Sequence, residues 1–503
     1  MPSPPVPSPP ARDLRIAWAA TLGLTALFAA LGLHGLAGQP LWNDEAFSFF
    51  VAWNGLGHTL HMMRQDTQPP VYYLLLTEWL RLGHGVAVLR GLSLAAMLLT
   101  VPLLFDTARR LLGVRVALLA VLLLVFGPLG VAWAQKARPY PVQALFVAIA
   151  FWGFVRLWTE GRRPLLGWAA YVLGGGLAVL TQYPAVFFLV GCNAAMAVRV
   201  LAAWRAERRL AGAWVLAQLA LLLVWLPWLP DAVPQVLSHL TPDRIAAKHT
   251  LFLVDGGTLL GTLGGLLGVA SLWRGQWPFA LLYVAVAVLG AAALLRAGRR
   301  GVPMSGVLMP GLPVLGAVVV PLAVCVLAWA LLHPVFGYVI YTFVWLRGPY
   351  AMLLAAGLAA LRPRWLGIAA AALLLLGDLW GLANYKVTRT VPRDAVAALL
   401  APQLQQGDGL LLSTGQAARW GLAYYLGPPY AGRLDGLDIA DIPAEGWPIA
   451  TPEQALRVAR LWVVLPDAEV LPFQPATLAP ALTRALRQRF GSVLVERYDR
   501  VAP

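Results

Sequence analysis

Long apolar blocks separated by short polar punctuation run along this chain from Leu14 to about Gly381. The first is Leu14 to Leu36. Ten more follow, at about Val88–Phe105, Val116–Ala134, Val142–Trp158, Trp168–Gln182, Ala185–Ala203, Trp214–Trp228, Pro278–Leu295, Leu312–Leu332, Tyr350–Leu361 and Leu366–Leu382. A helix needs about 20 apolar residues to cross a bilayer, whereas barrel strands alternate over about 10. The blocks are too long and too uniformly apolar for strands, so the pattern predicts an all-α polytopic membrane protein with about 11 transmembrane helices.

Two apolar stretches do not fit as spans. Val71 to Leu82 is short and carries Glu78 and Arg81, which reads as an interfacial helix in the first outer loop with Tyr72, Tyr73, Leu75, Leu76 and Trp79 in the acyl boundary. Leu259 to Leu272 is Gly-rich and reads as a second interfacial helix, because a span there would invert the side of Arg296 to Arg300. After Asn384 charges and turn residues return. Strand-like runs at Gly409–Ser413, Leu461–Leu465 and Ser492–Tyr498 alternate with helical patterns at Arg393–Gln405 and Ala476–Gln488, predicting a small C-terminal α/β domain. The expected organisation is a disordered tail over 1–13, a transmembrane domain over 14–383 with its first outer loop at 37–87, and a soluble extracytoplasmic domain over 384–503.

Composition excludes a soluble enzyme: 59% of the 503 residues are hydrophobic and 12% charged, with a mean hydropathy of +0.70. The net charge of +15 is not a nucleic-acid signal, because the cations sit at span ends. Arg109, Arg110 and Arg115 form one group, and Arg162–Arg163, Arg205–Arg209, Arg296–Arg300 and Arg362–Arg364 form others. The positive-inside bias puts these groups and Arg12 and Arg15 in the cytoplasm and the C-terminus outside, in a bacterial-type plasma membrane. The first block is long for a signal peptide and reads as a retained span. Cys192 and Cys325 lie in apolar blocks and read as packing residues. The chain has no GxGxxG, no P-loop and no internal repeat, which disfavours ATP-driven transport.

This topology sends several polar motifs to the outer face: Asp44–Glu45, Asp66, Gln68-Pro69-Pro70, Gln135 to Tyr140, Thr181-Gln182-Tyr183 and Trp345 to Tyr350. Segments far apart in sequence thus converge on one expected vestibule. The ordered set WNDEAF, DTQPPVYYLLLTEWLRLG, RGLSLAAMLLTVPLLFDTARRLLG, AQKARPYPVQAL and TQYPAVFFL resembles the GT-C glycosyltransferases of the polyprenyl-phosphate-mannose protein mannosyltransferase and aminoarabinose transferase kind. The resemblance is dense over residues 38–190 and rests on topology beyond them.

The resemblance implies a polyprenyl-phosphate-linked sugar donor, an inverting transfer to a glycan, lipid or protein hydroxyl at the outer face, and a first-loop acid as general base. Asp44 matches that acid, with Glu45 beside it. Leaving-phosphate charge calls for cations. Lys136, Arg138 and Arg347 are the expected phosphate ligands, a guanidinium fork being suited to phosphate oxygens. Asp66, Gln68, Tyr140, Gln182 and Tyr183 are expected to contact substrate.

Departures from the family pattern bear on metal use. Gln68 stands where members often have His, Lys136 where they have an acid, and Gln182 where they have His. Carboxamides and cations are poor ligands for divalent metals, so the expectation is metal-independent transfer with Lys136 and Arg138 supplying the positive charge. Mg or Mn held by Asp44, Glu45 and Asp66 is the alternative. Rival readings are a catalytically silent member that binds a lipid-linked sugar, and a secondary transporter or lipid flippase. The latter calls for ionisable groups near the midplane, whereas the acids here gather at one surface.

Overall fold

The computed structural model describes residues 10–160, 165–238, 277–299, 311–332, 340–384, 392–405, 407–412, 417–426, 451–466, 471 and 473–501. They divide between two compact units. One comprises Met1–His34, Thr67–Leu75 and Arg90–Val387; the other comprises Gly35–Asp66, Leu76–Leu89 and Thr388–Pro503.

The first unit is helical. By length and composition, 7 helices among the described residues could cross a membrane, or 8 when Val114–Phe126 and Pro128–Ala134, bent by 56°, are taken as one broken span. Leu165–Val179, Leu281–Arg296 and Leu312–Val324 are shorter apolar helices. The expected span Val116–Ala134 is therefore not one straight helix. Pro128 opens the second piece, and a proline lacks the N–H and the room to continue the first.

Other boundaries move as well. The N-terminal helix Ala11–Leu33 starts inside the expected tail. The helix Trp204–Trp225 takes in Arg205, Arg208 and Arg209, which the charge pattern puts in a loop. The expected interfacial helix in the first loop is a short helix, Val71–Trp79, closed by a 3-10 turn at Leu80–Leu82; Tyr72, Tyr73 and Leu76 are fully buried in packing and do not lie in the acyl boundary, while Leu75 is exposed. The second one, Leu259–Leu272, lies outside the described residues.

Small residues set how closely these helices approach, as expected where lipid and side chain are equally apolar. A Cβ on Gly174 of Leu165–Val179 would lie 2.7 Å from Ala150 N, and one on Gly153 of Tyr140–Glu160 would lie 2.6 Å from Gly167 O. Gly290 and Gly357 form a similar contact, each against backbone of the other's helix. Leu216, Leu219, Leu222 and Leu223 of Trp204–Trp225 are exposed, as a lipid-facing stripe requires.

Asp106, near the end of Val86–Leu112, accepts from Arg110 Nε and Trp152 Nε1 at 2.7 Å each and also pairs with Arg109. Arg110 pairs in turn with Glu160. This network ties Val86–Leu112 to Tyr140–Glu160.

In the second unit, four strands form a sheet in the order β1-β2-β4-β3: β1 Gly409–Leu412, β2 Arg460–Pro466, β3 Leu482–Phe490 and β4 Val493–Arg500. β1 and β2 are parallel, and the helix Ala417–Leu426 lies in the crossover between them. β2–β4 and β4–β3 are antiparallel. Val396, Leu400, Leu410, Leu412, Trp462 and Val493 fill one core of the unit, and Leu411, Leu461, Val463 and Tyr498 another.

The helical pattern at Ala476–Gln488 is overturned. Pro475–Leu478 is a 3-10 turn and Leu482–Phe490 is an edge strand paired with β4. Helix-forming Arg, Leu, Ala and Gln dominate it, but hairpin pairing through Gly491, at φ +54°, overrides that local preference. Its exposed Arg484, Arg487 and Arg489 suit a sheet edge that must not pair further.

The first-loop helix Asn43–Ala52 packs within this same unit. Phe47 and Phe50 meet Trp420 at 5.6 and 5.4 Å, and Phe49 meets Tyr424 at 5.0 Å. Leu41 N donates to Tyr425 Oη at 2.8 Å, and Arg393 Nη1 donates to Leu41 O at 3.4 Å.

Candidate functional site

The sequence-predicted residues fall into two sets, one in each unit. Gln68, Lys136, Arg138, Tyr140, Gln182, Tyr183 and Arg347 belong to the first unit, and Asp44, Glu45 and Asp66 to the second.

In the first unit, the loop between Pro128–Ala134 and Tyr140–Glu160 is built on two anchors. Gln135 Nε2 donates to the carbonyls of Gly32 and His34, both at 2.9 Å, satisfying acceptors that the N-terminal helix leaves open at its C-terminus. Arg138 N donates to Lys136 O at 2.9 Å, a tight three-residue turn. Ser93 Oγ donates to Arg138 O at 3.2 Å.

Arg138 is only 3% exposed. Its guanidinium lies 5.7 Å from the ring centre of Tyr140, with Nη2 3.5 Å from the Tyr140 hydroxyl. Trp133 packs edge-on against the same ring at 5.0 Å. Lys136 is half-buried beside this group.

The two glutamines meet. Gln182 Nε2 donates to Gln68 Oε1 at 2.9 Å, and Tyr73 Oη donates to that oxygen at 3.0 Å. Gln143 Nε2 donates to Gln182 O at 3.2 Å. Val71 N donates to Leu180 O at 3.0 Å, which docks the Pro69-Pro70 turn on the end of the Leu165–Val179 helix. Tyr183 is engaged differently: its hydroxyl donates to Gln235 Oε1 at 2.6 Å and accepts from Trp228 Nε1 at 3.2 Å.

Arg347 opens the helix Arg347–Ala360 and is 4% exposed. A Cβ at Gly127, at the bend before Pro128, would come 2.5 Å from its Nη2, so a side chain there would displace the guanidinium. Arg347 also lies within electrostatic reach of Asp378, a fully buried carboxylate. Asp378 Oδ1 accepts from Tyr283 Oη at 2.6 Å.

In the second unit, Asp44 and Glu45 occupy the first turn of Asn43–Ala52, where negative charge complements the helix dipole. They differ in environment. Glu45 is fully buried and its Oε2 accepts from Trp42 N at 2.9 Å, capping the helix. Asp44 is half-exposed, and its carbonyl accepts from Ser48 Oγ at 2.8 Å. Asp66 is half-exposed at the C-terminal end of Gly55–Gln65. Among the described residues no group of three or more His, Cys, Asp and Glu is arranged to hold a metal ion.

Ser93, Gln143 and Gln235 support the predicted residues and were not singled out in the sequence, whereas Tyr73, expected in the acyl boundary, is buried and donates to Gln68. Gln143 carried the clearest signal: it is an amide inside an apolar block, and it is fully buried.

Residues 67–229 match the family model described as dolichyl-phosphate-mannose-protein mannosyltransferase. No curated protein sequence matches the chain. Among solved structures, the apo crystal structure of ArnT from Cupriavidus metallidurans superposes with a TM-score of 0.60 at 14% identity, covering 96% of this chain and 98% of that one. The form of ArnT bound to undecaprenyl phosphate gives 0.60 at 14% identity, covering 95% and 97%. The oligosaccharyltransferase AglB from Archaeoglobus fulgidus, in complex with an inhibitory peptide and a dolichol-phosphate, gives 0.50 at 13% identity, covering 88% and 69%. The fold is that of the GT-C glycosyltransferases that the sequence motifs resemble.

Proposed function

We propose that this chain is a membrane glycosyltransferase that moves a sugar from a polyprenyl-phosphate donor to an acceptor hydroxyl at the outer face of a bacterial inner membrane. Asp44 accepts the proton of the acceptor hydroxyl, whose oxygen attacks the anomeric carbon from the side opposite the phosphate. The bond from that carbon to the phosphate oxygen breaks, and the sugar inverts. Glu45 orients the base by capping the helix that carries it.

The departing phosphate gathers negative charge, which Arg138, Lys136 and Arg347 balance. Transfer is metal-independent, because Gln68, Lys136 and Gln182 replace better metal ligands with amides and a cation. Asp66, Gln68, Tyr140, Gln182 and Tyr183 line the path of the substrates. Counting the bent pair once and the three shorter helices, the described residues supply eleven spans, with the N-terminus cytoplasmic and the C-terminal domain extracytoplasmic.

The observation that carries this reading is the likeness over nearly the full length of both chains to ArnT, whose structure holds undecaprenyl phosphate. Arg138 supports it locally: a guanidinium 3% exposed on a pinned loop is preorganised for an anion. The test is transfer from a labelled polyprenyl-phosphate sugar in membranes. Asp44→Asn is expected to lower kcat by about 100-fold or more while donor binding persists. Unchanged turnover would refute the assignment of the base.

A further inference from the structure

The second unit contains a pocket of about 310 Å³ that none of the proposed catalytic residues lines. Trp53, Thr77, Glu78, Leu80, Arg81 and His84 are among its walls. We infer that this pocket binds a pyranose ring of the acceptor, an assignment that rests on the glycosyltransferase reading above.

Its size is at the lower end of that of small-molecule sites, roomy for one sugar ring and too small for a long oligosaccharide. Trp53 is half-buried and lines the pocket, and an indole is the kind of apolar surface on which the C–H face of a pyranose stacks. Around it stand groups that hydrogen-bond hydroxyls in both directions: the Glu78 carboxylate accepts, the Arg81 guanidinium donates, and the His84 imidazole can do either.

Charge balance selects the ligand class. Glu78 and Arg81 are one turn apart and paired at 3.1 Å, both well exposed. The pair is already neutral, so an anionic or cationic ligand gains little by approaching it. A vicinal diol, by contrast, can donate to Glu78 and accept from Arg81 without separating them. Exposed ion pairs contribute little to stability, and this one is free to serve recognition.

The walls are held by the C-terminal domain. Tyr424 Oη donates to His84 O at 2.7 Å, and Phe49 packs edge-on against both the His84 ring, at 5.7 Å, and Tyr424. On the floor, Thr77 Oγ1 and Thr59 Oγ1 share a hydrogen bond of 2.8 Å, and Thr59 Oγ1 lies 3.0 Å from Val51 O. These contacts fix Thr77 and the backbone around His84 before any ligand arrives.

Saturation-transfer NMR on the full chain in nanodiscs tests this directly, without donor and therefore without turnover. The probes are the methyl pyranosides of glucose, galactose, mannose and xylose, with glycerophosphoethanolamine as a lipid-headgroup control. Transfer to the ring C–H protons of at least one glycoside is expected, with affinity about tenfold or more lower in Trp53→Ala and partly restored in Trp53→Phe. Glu78→Gln, a surface change that leaves the fold intact, should weaken binding severalfold. Asp44→Asn should leave it unchanged, so that failure of the catalytic reading and failure of this one give different results. No transfer to any glycoside, equal transfer in all variants, or transfer to glycerophosphoethanolamine alone would overturn the proposal.

Discussion

Gln182 donates its side-chain N–H to the amide oxygen of Gln68 across 2.9 Å, joining two positions 114 residues apart. The pair is a closed amide contact reinforced by the Tyr73 hydroxyl. Two imidazoles in its place would present two nitrogen ligands side by side. Two carboxamides present a hydrogen bond instead, a geometric reason to expect the chemistry to proceed without a divalent ion.

Transfer is therefore expected to survive chelation. Activity measured with and without EDTA should agree within about twofold, since carboxamide oxygens bind divalent ions weakly. Loss of activity on chelation, with recovery on adding manganese or magnesium, would show that Asp44, Glu45 and Asp66 hold a metal after all.

Replacing Gln182 by Leu strands the Gln68 oxygen with Tyr73 as its remaining described partner. A lost hydrogen bond at a buried polar group costs about 1–3 kcal/mol. Thermal unfolding of the solubilised protein should register the loss, and Gln182→Asn should recover little of it because the shorter side chain falls short of Gln68.

At Arg138, Lys is not a conservative replacement, because it keeps the charge and loses the planar fork. Arg138→Lys should lower kcat/KM for the donor by about 10–100-fold, the equivalent of one or two charge-assisted hydrogen bonds. Arg138→Met should lower it further. Equal rates for Lys and Arg would mean that the residue acts as a simple point charge.

Asp408 gives the second unit an acid-sensitive step. Burial alone would raise its pKa, but Arg460 grips both its oxygens, at 2.8 and 2.6 Å, and Gln405 N and Trp462 Nε1 donate as well. The net effect holds the carboxyl below its ordinary value. A folded pKa that is depressed stabilises above the unfolded value, about 3.9, and the contribution disappears as pH falls through the folded one. The unit should lose stability on acidification below about pH 4. Asp408→Asn should lose about 2–4 kcal/mol at neutral pH and show a flatter acid limb in a melting-temperature profile.

Gly357→Ala tests the packing of the bundle. The added methyl would run into the Val286 carbonyl and the backbone at Gly290. Overpacking of this kind costs about 1–3 kcal/mol, visible as a lower melting temperature. Ala at Gly212, where nothing lies within 4 Å, should be harmless.

The apolar blocks were legible in the sequence because lipid demands long uninterrupted hydrophobicity and internally satisfied backbone, a constraint that acts residue by residue. Strands β1, β2 and β4 were legible for a related reason, since their buried faces need apolar runs. Asp44, Arg138, Gln68 and Gln182 stood out because they lie in polar motifs between the apolar blocks that the charge pattern sends to one face and that resemble the GT-C family's. Periodicity could not reveal β3, whose helix-forming residues are overruled by a hairpin partner. Nor could it separate Glu45 from Asp44: one carboxylate is turned back to cap its helix and the other is left half-exposed. The union of the first-loop helix with the C-terminal helix, through Phe47, Phe50 and Trp420, was decided by tertiary structure alone. Contacts between residues more than 350 positions apart depend on complementary shape, and a linear pattern carries no record of that.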